Sequence, residues 1–144
     1  MKIYVASSWR NSHQPAVVKV LVVAGHRVYD FRHPAPGNDG FRWSDIDPAW
    51  KGWSPEGFRD ALLHPIARRG FGLDMMALKD CEACVLVLPS GRSAHLEAGL
   101  ACGMGKPVAV YVPEAMEPEL MYAMTSAICT SLAEVVEWAE GYEP

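Results

Sequence analysis

The sequence lacks the long apolar segments that cross a membrane. Its longest apolar runs, such as C-V-L-V-L at residues 84–88, are far shorter than the ~20 residues that a spanning helix needs. It also lacks the charged start and apolar stretch of a signal peptide, because a strand-like K-I-Y-V-A begins at residue 2. We therefore expect a cytoplasmic protein.

Positive charge is also scarce. The 13 lysines and arginines are outnumbered by 17 aspartates and glutamates, which gives a net charge of −4, and the basic residues form no stripe. A protein of this kind is a poor candidate for binding a nucleic-acid polymer. A small anionic substrate fits the composition better, because one or two arginines suffice to hold one phosphate.

Signatures of metals and organic cofactors are missing as well. Cys81 and Cys84 form a C-x-x-C motif, but neither the second cysteine pair nor the spaced histidine pair of a zinc site is present. The motif leads into an apolar strand, so we interpret the cysteines as small buried hydrophobic residues. The first strand-to-helix turn, S-S-W-R at residues 7–10, has no glycine, which argues against NAD and FAD. We expect no metal and no cofactor.

What is present is an alternation of short apolar strands with helical segments. This order indicates a single α/β domain over residues 1–144, a doubly wound, flavodoxin-like or Rossmann-like parallel sheet of about five strands. The expected strands are 2–7, 26–30, 84–88, 107–112 and 127–129. The expected helices are 14–24, 54–63, 72–80, 93–104, 119–124 and 132–140. Gly25 should end the first helix, Ser54 should be the N-cap of the second, and Ser131 should be the N-cap of the last, with Glu134 completing a capping box.

Ligands of such sheets bind outside the carboxyl ends of the strands. Three segments follow strands there: residues 7–10, the long loop 31–53 and residues 90–97. A loop as long as 31–53 inside a compact domain is usually functional. We therefore expect the three segments to converge on one cleft.

Glu97 is the first candidate for chemistry. We expect it in about the first turn of the helix after the central strand, where the helix dipole favours an ionised carboxylate. Such a carboxylate can attack an anomeric carbon and hold a covalent glycosyl intermediate. The alternative is an acid that merely complements the helix N-terminus.

Four residues precede that position: Ser90, Gly91, Arg92 and Ser93. A glycine turn at a helix start exposes backbone N–H groups that suit an anion or a sugar hydroxyl, and Arg92 could pair with a phosphate. The alternative is an ordinary strand-to-helix turn with Ser93 as N-cap.

The first turn offers a similar choice. Ser7, Ser8 and Arg10 could together hold one phosphate, or they could be a helix-capping cluster beside a solvated arginine. His95 could contact the phosphate or the leaving base, or simply cap its helix.

Asp74 and Trp43 are two further candidates. Asp74 could orient a sugar hydroxyl or move a proton as a second carboxylate, or it could be an acid at a helix start. Trp43, like Trp50 and Trp53, could stack a nucleobase, or the tryptophans could fix the long loop to the core.

Three stretches of the chain together resemble the nucleoside 2-deoxyribosyltransferase superfamily, which includes the deoxynucleoside 5′-monophosphate N-hydrolases and the pyrimidine nucleotide N-glycosidases. The first is K-I-Y-V-A-S-S-W-R at residues 2–10, and the second runs from an aspartate-bearing helix at residue 74 to the strand ending at residue 88. The third and most specific is L-E-A-G-L-A followed by G-K-P-V over residues 96–108.

The resemblance implies roles for individual residues. Glu97 would be the nucleophile and Asp74 a carboxylate of the sugar site, while Ser8 and Arg10 would hold a 5′-phosphate. Members of the superfamily are dimers or larger, in which the segment matching Met121 and Tyr122 reaches a neighbouring subunit's site.

Two departures bear on the reaction. The transferases carry an acid a few residues before the nucleophile, where residues 90–93 hold none, and they use an asparagine where this chain has Glu119. Both differences weaken base exchange between free nucleosides. We therefore predict an N-glycosidase acting on a nucleoside 5′-monophosphate, with a base-exchanging transferase and a non-catalytic nucleotide-binding module as the alternatives.

Overall fold

The computed structural model describes residues 1–142 and contains five strands and five α-helices in this range. The strands are β1 (Lys2–Ala6), β2 (Arg27–Asp30), β3 (Ala83–Val87), β4 (Val108–Tyr111) and β5 (Ala127–Cys129). The helices are α1 (Gln14–Val23), α2 (Pro55–Ala61), α3 (Pro65–Asp80), α4 (Arg92–Gly103) and α5 (Leu132–Glu140). Three short 3-10 helices cover Trp43–Asp45, Trp50–Gly52 and Leu120–Met124. No helix within residues 1–142 is long and apolar enough to cross a membrane.

The strands form one parallel sheet in the order β2-β1-β3-β4-β5, which confirms the predicted flavodoxin-like architecture. Val5 of β1 lies opposite Asp30 of β2 on one side and Val85 of β3 on the other. Because all strands run the same way, the turns after β1, β2 and β3 leave the sheet at the same edge. This edge carries the candidate site.

Local sequence signals set several helix ends. At the end of α1, Gly25 adopts a φ of 89° and its N–H donates to Val22, while the N–H of His26 donates to Leu21. This is the Schellman arrangement that glycine permits, and it confirms the predicted helix stop. Ser54 caps α2 as predicted, since its side chain accepts from the N–H of Gly57 at 3.1 Å.

The chain divides into two compact units, and the predicted single domain over 1–144 stays a prediction. The first unit comprises Met1–Asp30 and the chain from Asp80 onward, and it holds the whole sheet. Its core joins one sheet face to α1 and α5 through buried apolar side chains. The largest contributions come from Ile3, Val5, Val17, Leu21, Val85, Val87 and Val135.

The second unit, Phe31–Lys79, is organised around aromatic side chains. The ring of Trp43 makes edge contacts with Phe41 and Trp53, with centroids 4.7 and 5.7 Å apart. The indole N–H of Trp53 donates to Asp47 at 2.7 Å, and this bond, after one from the N–H of Ala49, lowers the pKa of that carboxyl. The long loop is thus ordered by its own side chains.

Helix α3 is longer than predicted, because it begins at Pro65 rather than near residue 72 and carries two glycines in its interior. Glycine weakens a helix, so the pattern suggested a break there. At Gly70, a Cβ would lie 3.0 Å from the Cβ of Phe41, so a side chain there would require Phe41 to move. Asp74 consequently lies in the middle of a helix, and its interpretation as an acid at a helix start is wrong.

Candidate functional site

The turn between β3 and α4 leaves polar groups without internal partners. Gly91 is the N-cap residue of α4 and has no side chain to accept from the first N–H groups of the helix. The Oγ of Ser90 is buried and has no hydrogen-bond partner among residues 1–142. Arg92, the first residue of the helix, is exposed. A buried hydroxyl and helix N–H groups without a side-chain cap can all serve a bound ligand.

Glu97 lies on α4 but deeper than predicted. The helix begins at Arg92, so Glu97 is in its second turn, and the expected first-turn position is wrong. The helix dipole acts mainly within the first turn, so it contributes less to this carboxylate than the sequence suggested. Ser93 is not the N-cap either: its hydroxyl donates to the Oε1 of Glu97 at 3.1 Å, one helical turn away.

Neighbouring thiols show where the Glu97 carboxylate lies. Burial, followed by the charges of Cys81 and Glu97, raises the pKa of the fully buried Cys84 thiol well above its ordinary value. Side chains alternate between the faces of a strand, so Cys84 points to the face opposite Val85 and the core of α1 and α5. Glu97 therefore sits half-buried over that second face, beside the central strand.

His95 is held by two hydrogen bonds. Its Nδ1 lies 2.8 Å from the carbonyl oxygen of Gly91, and its Nε2 lies 2.8 Å from the hydroxyl of Tyr122. A carbonyl can only accept, so Nδ1 donates this hydrogen bond. Residues two apart on a helix point to different sides, so His95 and Glu97 do not face each other.

Tyr122 and Met121 are placed differently by the structure. Tyr122 stacks on His95 of its own chain with ring centroids 5.8 Å apart, and burial, then the charge of Glu119, raises the pKa of its hydroxyl. Met121 is exposed. The partner-subunit role of both residues stays a prediction, but the hydroxyl of Tyr122 is already engaged within the chain.

The turn after β1 uses its polar groups internally. Ser7 is buried and its hydroxyl donates to the carbonyl of Val87 at 3.0 Å. Asn11 lies two residues before His13, the N-cap residue of α1, and its Oδ1 accepts from the N–H groups of His13 and Gln14 at 2.7 and 2.9 Å. The alternative in which the serines cap α1 is therefore wrong. Ser8 is half-buried and Arg10 exposed, and their phosphate-binding role stays a prediction.

Two residues of this edge were missed by the sequence analysis. Asn11 also donates from Nδ2 to the carbonyls of Val87 and Pro89, at 3.2 and 2.9 Å, and so ties the first turn to the second. An asparagine just before a helix was a usable signal for the cap. Gln14 is almost fully buried and donates to Asp30 at 2.8 Å, and nothing in its sequence position marked it.

Asp74 and Trp43 belong to the second unit. Asp74 is half-buried within α3. Trp43 packs between Phe41 and Trp53, two aromatic residues of the same loop, and these contacts do not test the alternative that it fixes the loop to the core. Their contribution to a sugar or base site stays a prediction. In the described part of the chain, no group of three or more histidine, cysteine, aspartate or glutamate side chains is arranged to hold a metal ion.

A parallel sheet in the order 2-1-3-4-5, flanked by helices, defines a flavodoxin-like α/β protein. Three solved structures are similar over nearly the whole chain. The first is a 2-deoxyribosyltransferase from Bacillus psychrosaccharolyticus, with 22% sequence identity and a TM-score of 0.61, covering 94% of this chain and 90% of that one.

The second is the CMP N-glycosidase BcmB of Clostridium botulinum, 16% identical with a TM-score of 0.53, covering 99% of this chain and 100% of that one. The third is a conserved protein from Enterococcus faecalis V583, 12% identical with a TM-score of 0.64 and 99% of both chains covered. No family model and no curated protein matches the sequence. At these identities the likeness shows a shared fold, as the predicted resemblance implies.

Proposed function

We propose that the protein is a retaining N-glycosidase of nucleoside 5′-monophosphates, with Glu97 as its nucleophile. The observation that carries the proposal is the half-buried Glu97 carboxylate, held by the Ser93 hydroxyl at 3.1 Å on the helix that follows the central strand. A fixed carboxylate next to a turn with unused hydrogen-bonding groups is what covalent glycosyl transfer requires.

In the reaction, one oxygen of Glu97 attacks C1′ of the sugar. A C1′–O bond forms while the C1′–N bond breaks, and the base leaves with the bonding electron pair and takes up a proton from water. A water molecule then attacks C1′ of the glycosyl-enzyme, which releases the sugar phosphate and restores the carboxylate. Ser93 keeps the carboxylate in one orientation throughout, and Asp74 is our candidate for orienting the sugar hydroxyls.

The phosphate would be held at the two turns. Ser8 and Arg10 follow β1, and Arg92 begins α4, where the first N–H groups have no side-chain cap. Guanidinium groups and helix N-termini are both good partners for a phosphate. The similarity in fold to a protein named a CMP N-glycosidase supports a nucleotide substrate. We further propose that the protein works as a homodimer or larger homo-oligomer.

Base exchange is the second candidate, favoured by the similarity to a 2-deoxyribosyltransferase. Residues 90–93 include no acid that could protonate the leaving base, so we place hydrolysis first. A non-catalytic nucleotide-binding module is the third candidate. These three functions differ in the products they leave, so one assay separates them.

The test is to incubate the protein with CMP and a panel of ribo- and deoxyribonucleoside 5′-monophosphates and to quantify free base by chromatography. We expect wild type to release base and Glu97→Gln to be slower by roughly 10³-fold or more, since the covalent step is lost. Ser93→Ala, which keeps the nucleophile, should lose about tenfold, as expected for a positioning hydrogen bond.

Equal release by wild type and Glu97→Gln would overturn the catalytic proposal. Transfer of the sugar to an added second base would assign the transferase reaction instead. Binding of an intact nucleotide in calorimetry, without any released base, would identify the binding module.

A further inference from the structure

The first carbonyl of α4 is held mainly by a side chain. In a regular helix, the carbonyl of the N-cap residue accepts from the backbone N–H four residues later. Here that bond, from the N–H of His95 to the carbonyl oxygen of Gly91, is 3.4 Å long, which is beyond the usual range of about 2.7–3.2 Å. The Nδ1 of the His95 ring lies only 2.8 Å from the same oxygen. The imidazole is therefore the closer of the two partners of this carbonyl.

The bond from the His95 ring differs from a helix cap. A capping side chain accepts from the first N–H groups of a helix, and α4 has no such cap within residues 1–142. The His95 ring instead donates to a carbonyl, so it uses none of those N–H groups. His95 thus restrains the first turn of α4 and leaves its donors available to a ligand.

The peptide bond after Gly91 passes this restraint to Arg92. The carbonyl of Gly91 and the N–H of Arg92 belong to one planar trans peptide unit, in which they point in opposite directions. The carbonyl points along α4 toward His95, so the N–H of Arg92 points out of the start of the helix. An anion at the N-terminus of a helix binds to donors of this kind. Fixing the carbonyl therefore fixes the direction of a donor that a phosphate can use.

Tyr122 holds the other nitrogen of the ring. Its hydroxyl lies 2.8 Å from the Nε2 of His95. Burial, then the charge of Glu119, raises the pKa of this hydroxyl, so it keeps its proton at neutral pH and can donate or accept. The hydroxyl of Thr125 donates to the carbonyl of Tyr122 at 2.7 Å and orders the backbone there. The imidazole is thus held at both of its nitrogens.

We infer that His95 is a positioning residue of the phosphate site and that Tyr122 keeps its ring in place. The ring holds the carbonyl of Gly91, and the peptide unit then aims the N–H of Arg92 at the phosphate. His95 acts through this turn and does not itself contact the substrate. The inference rests on the phosphate site of the proposed function, and it makes the preference for phosphorylated over unphosphorylated sugars depend on His95.

Two substitutions of His95 separate its two bonds. The side-chain nitrogen of asparagine stands at the same position along the chain as the Nδ1 of histidine, so His95→Asn keeps a donor for the carbonyl of Gly91. The side-chain nitrogen of glutamine stands at the position of Nε2, so His95→Gln keeps a partner for Tyr122 and loses the donor at Nδ1. Tyr122→Phe keeps the aromatic ring and removes the hydroxyl.

The experiment measures the binding of ribose 5-phosphate and of ribose by calorimetry, because neither ligand has a base to lose. Wild type should bind ribose 5-phosphate more tightly than ribose by about tenfold or more. His95→Gln should lose about tenfold in affinity for ribose 5-phosphate, whereas His95→Asn and Tyr122→Phe, which keep the donor to Gly91, should lose about threefold. The affinity for ribose should not change. The control His64→Ala, in the second unit, should bind both ligands as wild type does.

The amide signal of Arg92 gives a second readout that a purely structural role would not move. In proton–nitrogen correlation spectra, ribose 5-phosphate should shift this signal strongly in wild type and in His95→Asn, and much less in His95→Gln. Equal affinities of these two variants for ribose 5-phosphate would overturn the inference, as would equal losses for ribose.

An Arg92 amide that does not respond to ribose 5-phosphate, or a wild type that binds the two ligands alike, would also overturn the inference. Base release from nucleotides is measured separately. A protein that releases no base and still shows these differences in binding would contradict the catalytic proposal and support the positioning role of His95.

Discussion

The turns after β1 and β3 are neighbours at the edge of the sheet, yet they use their polar groups in opposite ways. In the first turn, the Ser7 hydroxyl donates to the carbonyl of Val87 and the Asn11 amide donates to that of Pro89. The Oδ1 of Asn11 also accepts from the N–H of Gln14 at the start of α1. In the second, Gly91 offers α4 no side-chain cap and the Ser90 hydroxyl has no partner among residues 1–142.

This difference assigns different roles to two similar segments. A turn whose donors and acceptors are satisfied internally contributes rigidity, because its groups would have to break protein bonds to bind a ligand. A turn with unused groups contributes binding capacity. We therefore expect the first turn to support the second, and we propose residues 90–93 together with Glu97 as the reactive part of the site.

Of the substitutions that test this difference between the two turns, Asn11→Ala should have the largest effect, and it acts on the free energy of unfolding. The change removes the side-chain acceptor of the His13 and Gln14 N–H groups and leaves the carbonyls of Val87 and Pro89 without the amide donor, so we expect a loss of about 2–4 kcal/mol of unfolding free energy. Ser90→Ala removes a hydroxyl that has no partner, so its effect on stability should stay within about 0.5 kcal/mol. Urea denaturation followed by circular dichroism measures both.

The two substitutions also differ in their effect on binding. Ser90→Ala should weaken nucleotide binding in calorimetry while the fold stays intact. Equal losses of stability in the two variants would remove the distinction between a supporting turn and a binding turn.

The arginines offer a second, smaller test. If the phosphate of the substrate binds at the N-terminus of α4, Arg92→Ala should raise KM for a 5′-monophosphate by roughly ten- to a hundredfold. This is the loss expected for one charged hydrogen bond. Arg10→Ala should have a smaller effect, because its turn is already occupied with internal bonds. KM for the matching free nucleoside should change little in either variant. Equal effects on nucleotide and nucleoside would show that neither arginine binds the phosphate.

Sequence reasoning reached the parallel α/β sheet and most element bounds, because buried strands and glycine stops leave local patterns. β5 and α5 match the predicted ranges, and Ser131 caps α5 as expected. It failed inside α3, where Gly70 packs against Phe41 and the helix continues through both of its glycines. The bonds from Asn11 to Val87 and Pro89 join turns that are distant in sequence, so no local pattern indicates them. The bond from Ser93 to Glu97 is local and was missed because Ser93 was considered only as an N-cap or a ligand contact.

The start of α5 has the side-chain cap that the start of α4 lacks. A substitution at this cap should have the smallest effect on stability of those proposed. Ser131 accepts from the N–H of Glu134 at 3.2 Å, and the Glu134 carboxylate accepts from the backbone and hydroxyl of Thr130. These bonds, with the backbone of Thr130 first, lower the pKa of Glu134 below its ordinary value of 4.5. The predicted capping box thus closes on Thr130 rather than on Ser131.

A carboxyl with a lowered pKa in the folded state stabilises the fold above its unfolded pKa, and this contribution disappears as pH falls through the folded value. Glu134→Gln should therefore lower Tm slightly at pH 7, by about 1–2 °C, and the difference from wild type should shrink as pH falls below 4.5 and vanish once both states are protonated. Scanning calorimetry across this range measures the effect. If the difference in Tm persists undiminished at acid pH, Glu134 stabilises the fold through packing. The side-chain cap that distinguishes α5 from α4 would then not depend on the charge of Glu134.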